Sequence, residues 1–313
     1  MSISIIIPNY NGANLLKKNI PQVLKAVKSY QQESSNKVEI IIVDDCSTDS
    51  SVLEIENLKH DIKLLRNKKN LGFALSINNG VALAKEDIVV LLNSDVAPEK
   101  DFLVPLLVHF KDETIFAVGC MDKSIEGSRV ILRGRGIGKW QRGFLVHSRG
   151  EVDKTNTLWV NGGSGAFRKS IWEKLGGFNS LYYPFYWEDI DISYRAQKAG
   201  YKVFFEPKSI VVHQHEEGAI KKKYSSFQIK TIAYKNQFIF VWINATDLDL
   251  QLKHILWLPY HFLMALKNFD WPFFRGFLLA IIKLPEIILY SFKVRKSFIK
   301  SDKEVIKNIK NYV

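Results

Sequence analysis

Cysteine is scarce in this chain of 313 residues, which contains only Cys46 and Cys120. The two lie far apart and neither belongs to a Cys-x-x-Cys pair. The sequence therefore offers no disulfide framework and no cysteine-based zinc or redox site. Nothing in the cysteine content calls for an oxidising compartment, and we expect a reduced, cytoplasmic protein.

Long hydrophobic runs are missing too. The chain enters an apolar segment at residues 3–7, with no basic region before it and too little length for a signal peptide or a membrane-spanning helix. We expect this segment to be the first core strand.

The glycine-rich loops that commonly cradle phosphates are absent. The sequence has no Gly-x-Gly-x-x-Gly and no Gly-x-x-x-x-Gly-Lys motif. A bound nucleotide would have to be held by carboxylates, loop amides and a cation instead. A nucleotidyltransferase would normally carry a glycine-rich, basic loop near the first strand, so that class of enzyme is disfavoured.

Positive charge is unevenly placed along the chain, whose net charge is +12. Residues 221–313 contain 16 Lys and Arg against 6 Asp and Glu, a net charge of +10, which leaves +2 for residues 1–220. A nucleic-acid enzyme more usually spreads positive charge around its cleft. Nucleic-acid binding is thus disfavoured, and a steep salt dependence of DNA or RNA binding would be needed to revive it.

The first 95 residues alternate between strand-like and helix-like patterns. Helical spacing of apolar residues separates four apolar runs, which predict strands at residues 2–8, 38–43, 62–65 and 88–95. This alternation predicts an α/β fold with a doubly wound, mostly parallel sheet that is flanked by helices and joined by right-handed crossovers.

Carboxylates lie at the carboxyl ends of two of these predicted strands. Asp44 and Asp45 come directly after the second strand, and Asp95 ends the fourth. In open α/β sheets, ligands bind outside the carboxyl ends of the strands. We therefore expect these acids to line a cleft and to bind a metal ion or a phosphate-containing ligand.

Regular patterning breaks down between residues 121 and 153, where basic residues alternate with glycines and aromatics. Two interpretations are open: a mobile basic flap over a diphosphate, or a solvated insertion rich in hairpins. We assign no functional residue there. Residues 158–167 then predict a strand interrupted by glycines, which usually mark close approach of a ligand or another backbone. Gly163 and Ser164 are our candidate ligand-binding residues in this segment.

Aromatic and acidic side chains crowd together at residues 182–191. Aromatic faces beside carboxylates suit a sugar-binding subsite, because the rings pack on C–H faces and the acids accept hydroxyl hydrogens. A helix predicted over residues 189–199 places Asp189 and Asp191 at its N-terminus. There the macrodipole favours the ionised form, so a carboxylate would be available as a base. For Asp191 we prefer a helix-capping role.

Strands are also predicted at residues 201–205 and 210–215, and the second of these carries His213 and His215. The pattern alone favours hydrogen-bonded histidines over metal ligands at these two positions.

Four segments together resemble the family 2 nucleotide-sugar glycosyltransferases, which have the GT-A fold. They lie in the family's order and spacing at residues 5–11, 41–49, 70–74 and 92–95. The resemblance implies that the nucleotide is held by Pro8, Asn9, Tyr10, Asp44, Asp45 and Gly72. Asp45 is the preferred partner of a pyrimidine base.

The family's metal motif, usually written Asp-x-Asp, is here Asn93-Ser94-Asp95. Asn-x-Asp resembles the rhamnosyltransferase-like branch of the family, in which the last aspartate is expected to contact the cation. The resemblance therefore implies that Asp95 and His213 bind Mg²⁺ or Mn²⁺, with His215 as the alternative to His213. Asn93 is expected beside the bound donor.

Residues 187–191 resemble the family's Glu-Asp acceptor motif, and Asp189 matches its general base. The acceptor is expected to contact Gly163, Ser164, Trp187 and Glu188. The implied reaction is a single displacement with inversion, from a nucleotide-diphosphate sugar to a hydroxyl of a saccharide acceptor. It is expected to serve bacterial-type cell-surface polysaccharide or glycolipid assembly. A catalytically silent nucleotide-sugar binding module is the alternative, because Asn93 replaces a carboxylate.

We expect three regions: a nucleotide-sugar-binding half at residues 1–120, an acceptor-binding half at 121–220, and a basic, aromatic helical extension at 221–313. Prolines and charges interrupt the apolar stretches of the extension, so none predicts a membrane-spanning helix. Two interpretations have nearly equal weight: interfacial helices on an anionic membrane, or helices that pack on the sheet or across an oligomer. The first would make the acceptor a lipid-linked saccharide at the cytoplasmic face of the inner membrane.

Overall fold

The computed structural model describes residues 1–58, 61–127, 129–214 and 223–310. Within these ranges the chain forms a mixed, mostly parallel sheet with helices on both faces, followed by a group of helices. The strands are β1 (Ile3–Asn9), β2 (Val38–Asp44), β3 (Ile62–Arg66), β4 (Ile88–Leu92), β5 (Val96–Pro98), β6 (Ile115–Glu126), β7 (Arg129–Arg133), β8 (Gly136–Gln141), β9 (Phe144–Arg149), β10 (Ser164–Arg168) and β11 (Lys202–Gln214).

Helices connect and cover these strands. They are α1 (Ala13–Glu33), α2 (Ser51–Glu56), α3 (Phe73–Leu83), α4 (Leu103–Leu107), α5 (Lys169–Leu175), α6 (Glu188–Lys198), α7 (Ser226–Asn244), α8 (Leu248–Lys267), α9 (Trp271–Ile282), α10 (Leu284–Arg295) and α11 (Asp302–Lys310). The predicted alternation of strand and helix before residue 96 is confirmed.

The sheet buries apolar side chains on both faces, as the continuous apolar runs predict. Along β1, Ile5 and Ile7 pack against the helices α1, α2 and α4 on one face, whereas Ile6 packs against α3, α5 and α6 on the other. Both β2 and β4 alternate in the same way. Because successive side chains of a strand point to opposite faces, these short runs complete two separate hydrophobic layers.

Strand order explains why the polar strand ends meet. In the main sheet of the described chain the order is β3-β2-β1-β4-β10-β6-β11-β5, and β3, β2, β1 and β4 are mutually parallel. Asn9 at the end of β1 is in register with Asp44 at the end of β2. The loops after β1, β2 and β4 therefore open at one edge of the sheet.

The second half of the sheet differs from the prediction in two places. Residues 158–163 are not part of a strand, because Asn161 and the two glycines after it form a turn, and only Ser164–Arg168 pair, antiparallel to β4 and β6. The two strands predicted over residues 201–215 form one strand, β11, with a register shift between Glu206 and Ile210. Pro207, which lacks an N–H, lies within that irregular stretch. His215 lies outside the described residues.

The irregular segment from residue 121 to 153 contains hairpins, which supports the second of its two interpretations. Strand β7 pairs with the end of β6, and β8 pairs with β9 as a separate ribbon. The ribbon is anchored through Phe144, whose ring packs edge-on against Phe238 of α7 and His254 of α8. Arg142 at its tip donates to the hydroxyl of Tyr260.

The helices after residue 225 form a third hydrophobic cluster with the β8–β9 ribbon and with residues 181–194. Phe238, Phe240 and Ile243 of α7 are fully buried at its centre. Among the residues that the structure describes, no helix combines the length and the apolar character needed to cross a bilayer.

The last described helix is tied to α6 by a buried carboxylate. Asp302 at the start of α11 forms an ion pair with Lys198 of α6 at 3.1 Å, and both side chains are fully buried. It also accepts hydrogen bonds from Tyr194 Oη at 2.7 Å and from the amides of Thr246 and Asp247 at 2.7 and 2.9 Å. Asp302 therefore joins α11, α6 and the connection between α7 and α8.

Replacing Asp302 by alanine should lower the free energy of unfolding by about 3 to 5 kcal/mol, because Lys198 would be left buried without its partner. Urea unfolding followed by circular dichroism measures this change. The matched control is Asp249→Ala, which also removes a carboxylate paired with lysines, Lys253 and Lys303, but at the surface. We expect little change for the control. Equal effects of the two substitutions would contradict a structural role for the buried pair.

Candidate active site

Asn9 and Asp44 connect the ends of β1 and β2. Asn9 donates from Nδ2 to Asp44 Oδ1 at 3.1 Å, and Asp44 Oδ2 accepts the amide of Ser47 at 3.1 Å. Asp44 is fully buried, so its carboxylate shapes the loop after β2. The side-chain oxygen of Asn9, Oδ1, is buried and has no hydrogen-bond partner among the described residues. Pro8 and Tyr10 flank Asn9 at this edge.

Asp45 holds the loop between β3 and α3. One carboxylate oxygen accepts hydrogen bonds from Asn67 Nδ2 at 2.9 Å and the amide of Leu71 at 2.8 Å, and the other accepts the amide of Gly72 at 2.8 Å. A carboxylate has about four acceptor positions, so about one is left for a ligand. Contact between Asp45 and a pyrimidine base stays a prediction. The structure adds a second role, since Asp45 holds the loop before α3.

Gly72 brings the loop before α3 against the segment that carries Tyr183. Its φ is +80° with ψ of 171°, a conformation that is essentially restricted to glycine. A Cβ atom at this position would lie 2.8 Å from the ring of Tyr183. The close approach of Gly72 and Tyr183 therefore requires the absence of a side chain.

Asp95 and His213 are brought together by the pairing of β5 with β11. His213 is in register with Val96, the residue after Asp95. Its Nε2 lies 3.2 Å from Asp95 Oδ2, and its Nδ1 lies 3.1 Å from Asp122 Oδ2. Burial alone would lower the pKa of His213, but the hydrogen bonds and charges of Asp122 and Asp95 outweigh it and raise the pKa to about 9.

The sequence patterns did not identify Asp122 as a site residue. It lies on β6, 91 residues before His213, and it orients the imidazole through Nδ1. Ligating histidines commonly have such a carboxylate partner on the other ring nitrogen. A signal existed in the sequence, since a carboxylate directly follows the apolar run at residues 115–121, but only the pairing of β6 with β11 shows which residue it serves.

These residues fit a divalent cation that takes most of its ligands from a bound diphosphate. The described residues contain no cluster of three or more His, Cys, Asp or Glu that could hold a metal by itself. Asp95 and His213 present one oxygen and one nitrogen side by side, while Asp122 holds the ring. Asn93 Oδ1 is buried and without a hydrogen-bond partner within the described ranges. Mg²⁺ in particular is usually held by one or two side chains plus substrate phosphates.

The turn at residues 182–187 has strained backbone. Tyr186 and Trp187 have φ of +71° and +79°, which is rare for bulky residues. Asn236 of α7 holds this turn, since its Nδ2 lies within 3.0 Å of the carbonyl oxygens of Tyr182, Phe185 and Tyr186. The strain is thus maintained by packing against α7, and such strain often accompanies a functional site.

The structure corrects the expectation for Trp187. Its side chain is only 6% exposed and packs against Phe240 and His147, so it does not present a face to a sugar. Tyr183 and Tyr186 are 47% and 43% exposed and are the available aromatic platforms. The error arose because the positive φ values at 186 and 187 decide which ring faces outward, and periodicity does not reveal them.

Asp189 lies at the start of α6, as predicted. Its Oδ1 accepts the amide of Ile190 at 2.8 Å, and its Oδ2 accepts the amide of Gly162 at 3.4 Å. Burial raises the pKa of Asp189 and outweighs the opposing effect of these amides. Burial therefore affects the pKa of Asp189 more than the helix N-terminus does, contrary to our expectation. A raised pKa suits a residue that must accept a proton near neutral pH.

Glu188 and Asp191 flank Asp189. Glu188 is buried, its Oε2 has no partner among the described residues, and burial together with the charge of Asp189 raises its pKa. Asp191 is fully buried and forms an ion pair with Arg195 at 2.7 Å. Its carboxylate also accepts from Tyr182 Oη and Asn244 Nδ2. Asp191 is therefore structural, through a buried network instead of the helix cap we expected.

A glycine turn connects the two sides of the site. The amide of Gly162 reaches Asp189, and the carbonyl of Gly163 accepts the amide of Asn93 at 2.9 Å. A Cβ on Gly163 would lie 2.4 Å from Asn93 Nδ2, so the close approach is to a side chain of the neighbouring loop. Ser164 is buried and its Oγ has no partner in the described part of the chain. Contact of Gly163 and Ser164 with the acceptor stays a prediction.

Comparison with protein families gives a match to Glycosyl transferase family 2 over residues 4–176. The match covers more than half of the chain and includes the residues expected to hold the nucleotide, together with Asn93, Asp95, Gly163 and Ser164. It ends before Glu188, Asp189 and His213.

Two curated relatives each match about two thirds of the chain. A pre-mycofactocin glycosyltransferase of Mycobacterium tuberculosis is 27% identical over 223 residues, which are 68% of this chain and 43% of that protein. The O-antigen chain rhamnosyltransferase RfbN of Salmonella typhimurium is 26% identical over 220 residues, 69% of this chain and 67% of that protein. The match thus spans less than half of the mycobacterial relative.

A solved structure has a similar fold. The crystal structure of GalNAc-T7 with UDP, GalNAc and Mn²⁺ superimposes with a TM-score of 0.61 at 20% identity, covering 78% of this chain and 48% of that one. At this identity the likeness concerns the fold alone.

Gly72→Ala should destabilise the protein and weaken nucleotide-sugar binding, because alanine disfavours this backbone conformation by about 1 to 3 kcal/mol and its Cβ would displace Tyr183. Thermal unfolding and calorimetric binding of UDP-, GDP- and dTDP-sugars measure the two effects. The control is Gly176→Ala, which has φ of +81° but no atom within 4 Å of the added Cβ. The control should lose about 1 kcal/mol of stability and bind normally. Normal binding by the Gly72 variant would contradict the assignment.

Proposed function

The chain belongs to glycosyl transferase family 2, and from this premise we propose that it is an inverting glycosyltransferase of the GT-A fold. It transfers a sugar from a nucleotide-diphosphate donor to a hydroxyl group of a saccharide acceptor. The observation that carries the proposal is the glycine turn at residues 162–163. This turn connects Asp189 on one side with Asn93, two residues before Asp95, on the other.

The donor would lie at the carboxyl edge of the parallel strands. Its base and ribose would contact the loops after β1 and β2, through Pro8, Asn9, Tyr10, Asp44 and Asp45, and the loop that ends at Gly72. The acceptor position that Asp45 has left, and Oδ1 of Asn9, which has no partner among the described residues, would supply acceptors for base or ribose hydrogens. This arrangement needs no glycine-rich phosphate cradle.

Asp95 and His213 would hold Mg²⁺ or Mn²⁺, with Asn93 beside them. A divalent cation there would neutralise negative charge on the departing nucleotide diphosphate. For His213 to ligate through Nε2, its proton must stay on Nδ1, and Asp122 accepts that proton in a hydrogen bond. Asp122 is thus a positioning residue in this proposal.

Asp189 acts as the general base toward the acceptor. It would take the proton from the attacking hydroxyl while that oxygen bonds to the anomeric carbon and the nucleotide departs. We assign one general base and no separate carboxylate nucleophile. The acceptor therefore displaces the nucleotide in a single step, which inverts the configuration at the anomeric carbon. Glu188 would accept acceptor hydroxyl hydrogens, and the exposed rings of Tyr183 and Tyr186 would support sugar faces.

The biological setting is proposed from the relatives. An O-antigen chain rhamnosyltransferase among them supports a role in polysaccharide or glycolipid assembly at a bacterial cell surface, with a rhamnosyltransferase-like donor. Two unpaired cysteines support a cytoplasmic location, on the cytoplasmic face of the inner membrane. The division into a donor half (1–120), an acceptor half (121–220) and a helical extension (221–313) belongs to the same proposal.

Asp189→Asn should reduce turnover by about 100-fold or more while donor affinity stays within about twofold, because asparagine keeps the contact to the amide of Ile190 but cannot take a proton. Donor hydrolysis, with water as the acceptor, measures turnover, and titration calorimetry measures donor binding. The control is Asp101→Asn, which changes an exposed carboxylate before α4. Loss of binding equal to the loss of turnover would contradict the role of Asp189 as a base.

A further inference from the structure

An unusually large set of apolar side chains is exposed on helices α8, α9 and α10. On α8 these residues recur at helical spacing along one side: Leu248, Leu252, Ile255, Leu256, Leu263 and Leu266. Leu256 is 74% exposed. The opposite side of α8 carries Leu250, His254 and Ala265, which are buried. This helix is therefore apolar on its inner and outer sides, although a helix on the surface of a soluble protein usually has a polar outer side.

The same pattern continues on the next two helices and just beyond them. Their inner residues pack in the hydrophobic cluster around α7, namely Phe273 and Ala280 on α9 and Ile287 and Val294 on α10. Their outer residues are exposed apolar side chains: Trp271, Leu278 and Ile282 on α9, Ile288, Leu289 and Phe292 on α10, and Ile299 after it. We call these residues, together with those of α8, the exposed apolar face.

Exposure on this scale needs an explanation. Single exposed apolar residues are normal, but clusters on three adjoining helices mark a surface that contacts another apolar phase. The described helices are not suited to spanning a bilayer. The exposed apolar face therefore requires a partner that contacts these helices on their outer side only.

Basic residues accompany the exposed apolar face. Residues 248–300 contain eight Lys or Arg and three Asp or Glu, a net charge of +5. Exposed members include Lys253 and Lys267 on α8, Arg275 on α9, and Lys293 and Lys296 on and just after α10. Apolar residues interleaved with basic ones complement the headgroup and acyl layers of an anionic bilayer.

We propose that the exposed apolar face binds the surface of an anionic lipid bilayer, with α8, α9 and α10 lying in its interface. A second copy of the chain fits this face less well. A symmetric dimer places the same patch against itself, so two surfaces of net charge +5 would be brought together. Lipid headgroups neutralise that charge, and the acyl chains accept the leucine and phenylalanine side chains.

Binding there would place the turn at residues 182–186 close to the membrane, separated from it by α7 and the bound helices. Helix α7 lies between the two: its Phe238 packs against Phe273 and Phe277 of α9, and its Asn236 holds the turn at residues 182–186. Lys235 of α7 also donates to the carbonyl of Tyr183 at 2.6 Å. The identity of the acceptor rests on the proposed sugar transfer. If that transfer is correct, the acceptor is a lipid-linked saccharide presented at the bilayer surface.

Vesicle cosedimentation of the full chain tests the proposal. We expect binding to vesicles of equal parts phosphatidylcholine and phosphatidylglycerol, weaker binding to phosphatidylcholine alone, and weakening of the first by salt. The triple variant Leu252→Glu, Leu256→Glu, Leu263→Glu should bind the anionic vesicles at least tenfold more weakly. A control with three exposed apolar residues elsewhere, Leu53→Glu, Val104→Glu and Val108→Glu, should bind normally.

A second triple variant tests the proposal even if the first variant misfolds. Lys253→Gln, Lys267→Gln and Lys293→Gln leave the apolar face intact and should lose only the preference for anionic vesicles. Donor hydrolysis without vesicles shows separately whether the site is active, so failure of the transfer proposal and failure of this one are distinguishable. A chain that ignores both vesicle types, or that forms a dimer dispersed by the triple variant, would overturn the proposal in favour of a protein partner.

Discussion

The buried ion pair between Asp191 and Arg195 determines the geometry around the start of α6, where Asp189 lies. Both side chains are fully buried, and Arg195 also donates to the carbonyls of Leu175 and Gly177 at 2.6 and 2.9 Å. A buried pair is tolerated only when its remaining donors and acceptors are satisfied, and here Tyr182 and Asn244 complete the set. The pair therefore fixes the end of α5, the start of α6 and α7 relative to one another, and with them the position of Asp189.

Much of the fold could be predicted from the sequence because the apolar runs and the helical periodicity are strong in the first half. β1, β2, β3 and β4 and the helices between them lie within a few residues of their predicted bounds. The second half was less predictable, because pairing there depends on distant partners. The turn at Asn161 and the bulged strand β11 follow from side-chain hydrogen bonds and sheet register, which leave no periodic signal.

The candidate site shows the same division. Asp95 and His213 were selected separately and are in contact, since strand ends and sheet edges place them together. Asp122 was missed because its role depends on the neighbouring strand, and Trp187 was misjudged because its ring direction depends on a left-handed backbone held by Asn236. Buried polar atoms without partners in the described chain, on Asn9, Asn93, Ser164 and Glu188, gather at this site, where substrate groups could pair with them.

The central claim is that these residues form a metal-dependent transferase, and nucleotide release from a panel of donors tests it most directly. Purified protein would be incubated with UDP-, GDP- and dTDP-sugars in the presence of Mn²⁺, Mg²⁺ or EDTA. A metal-dependent transferase should release nucleotide slowly from one donor class with either cation, and should release none with EDTA. Nucleotide binding without release from any donor would contradict the account and favour a catalytically silent binding module.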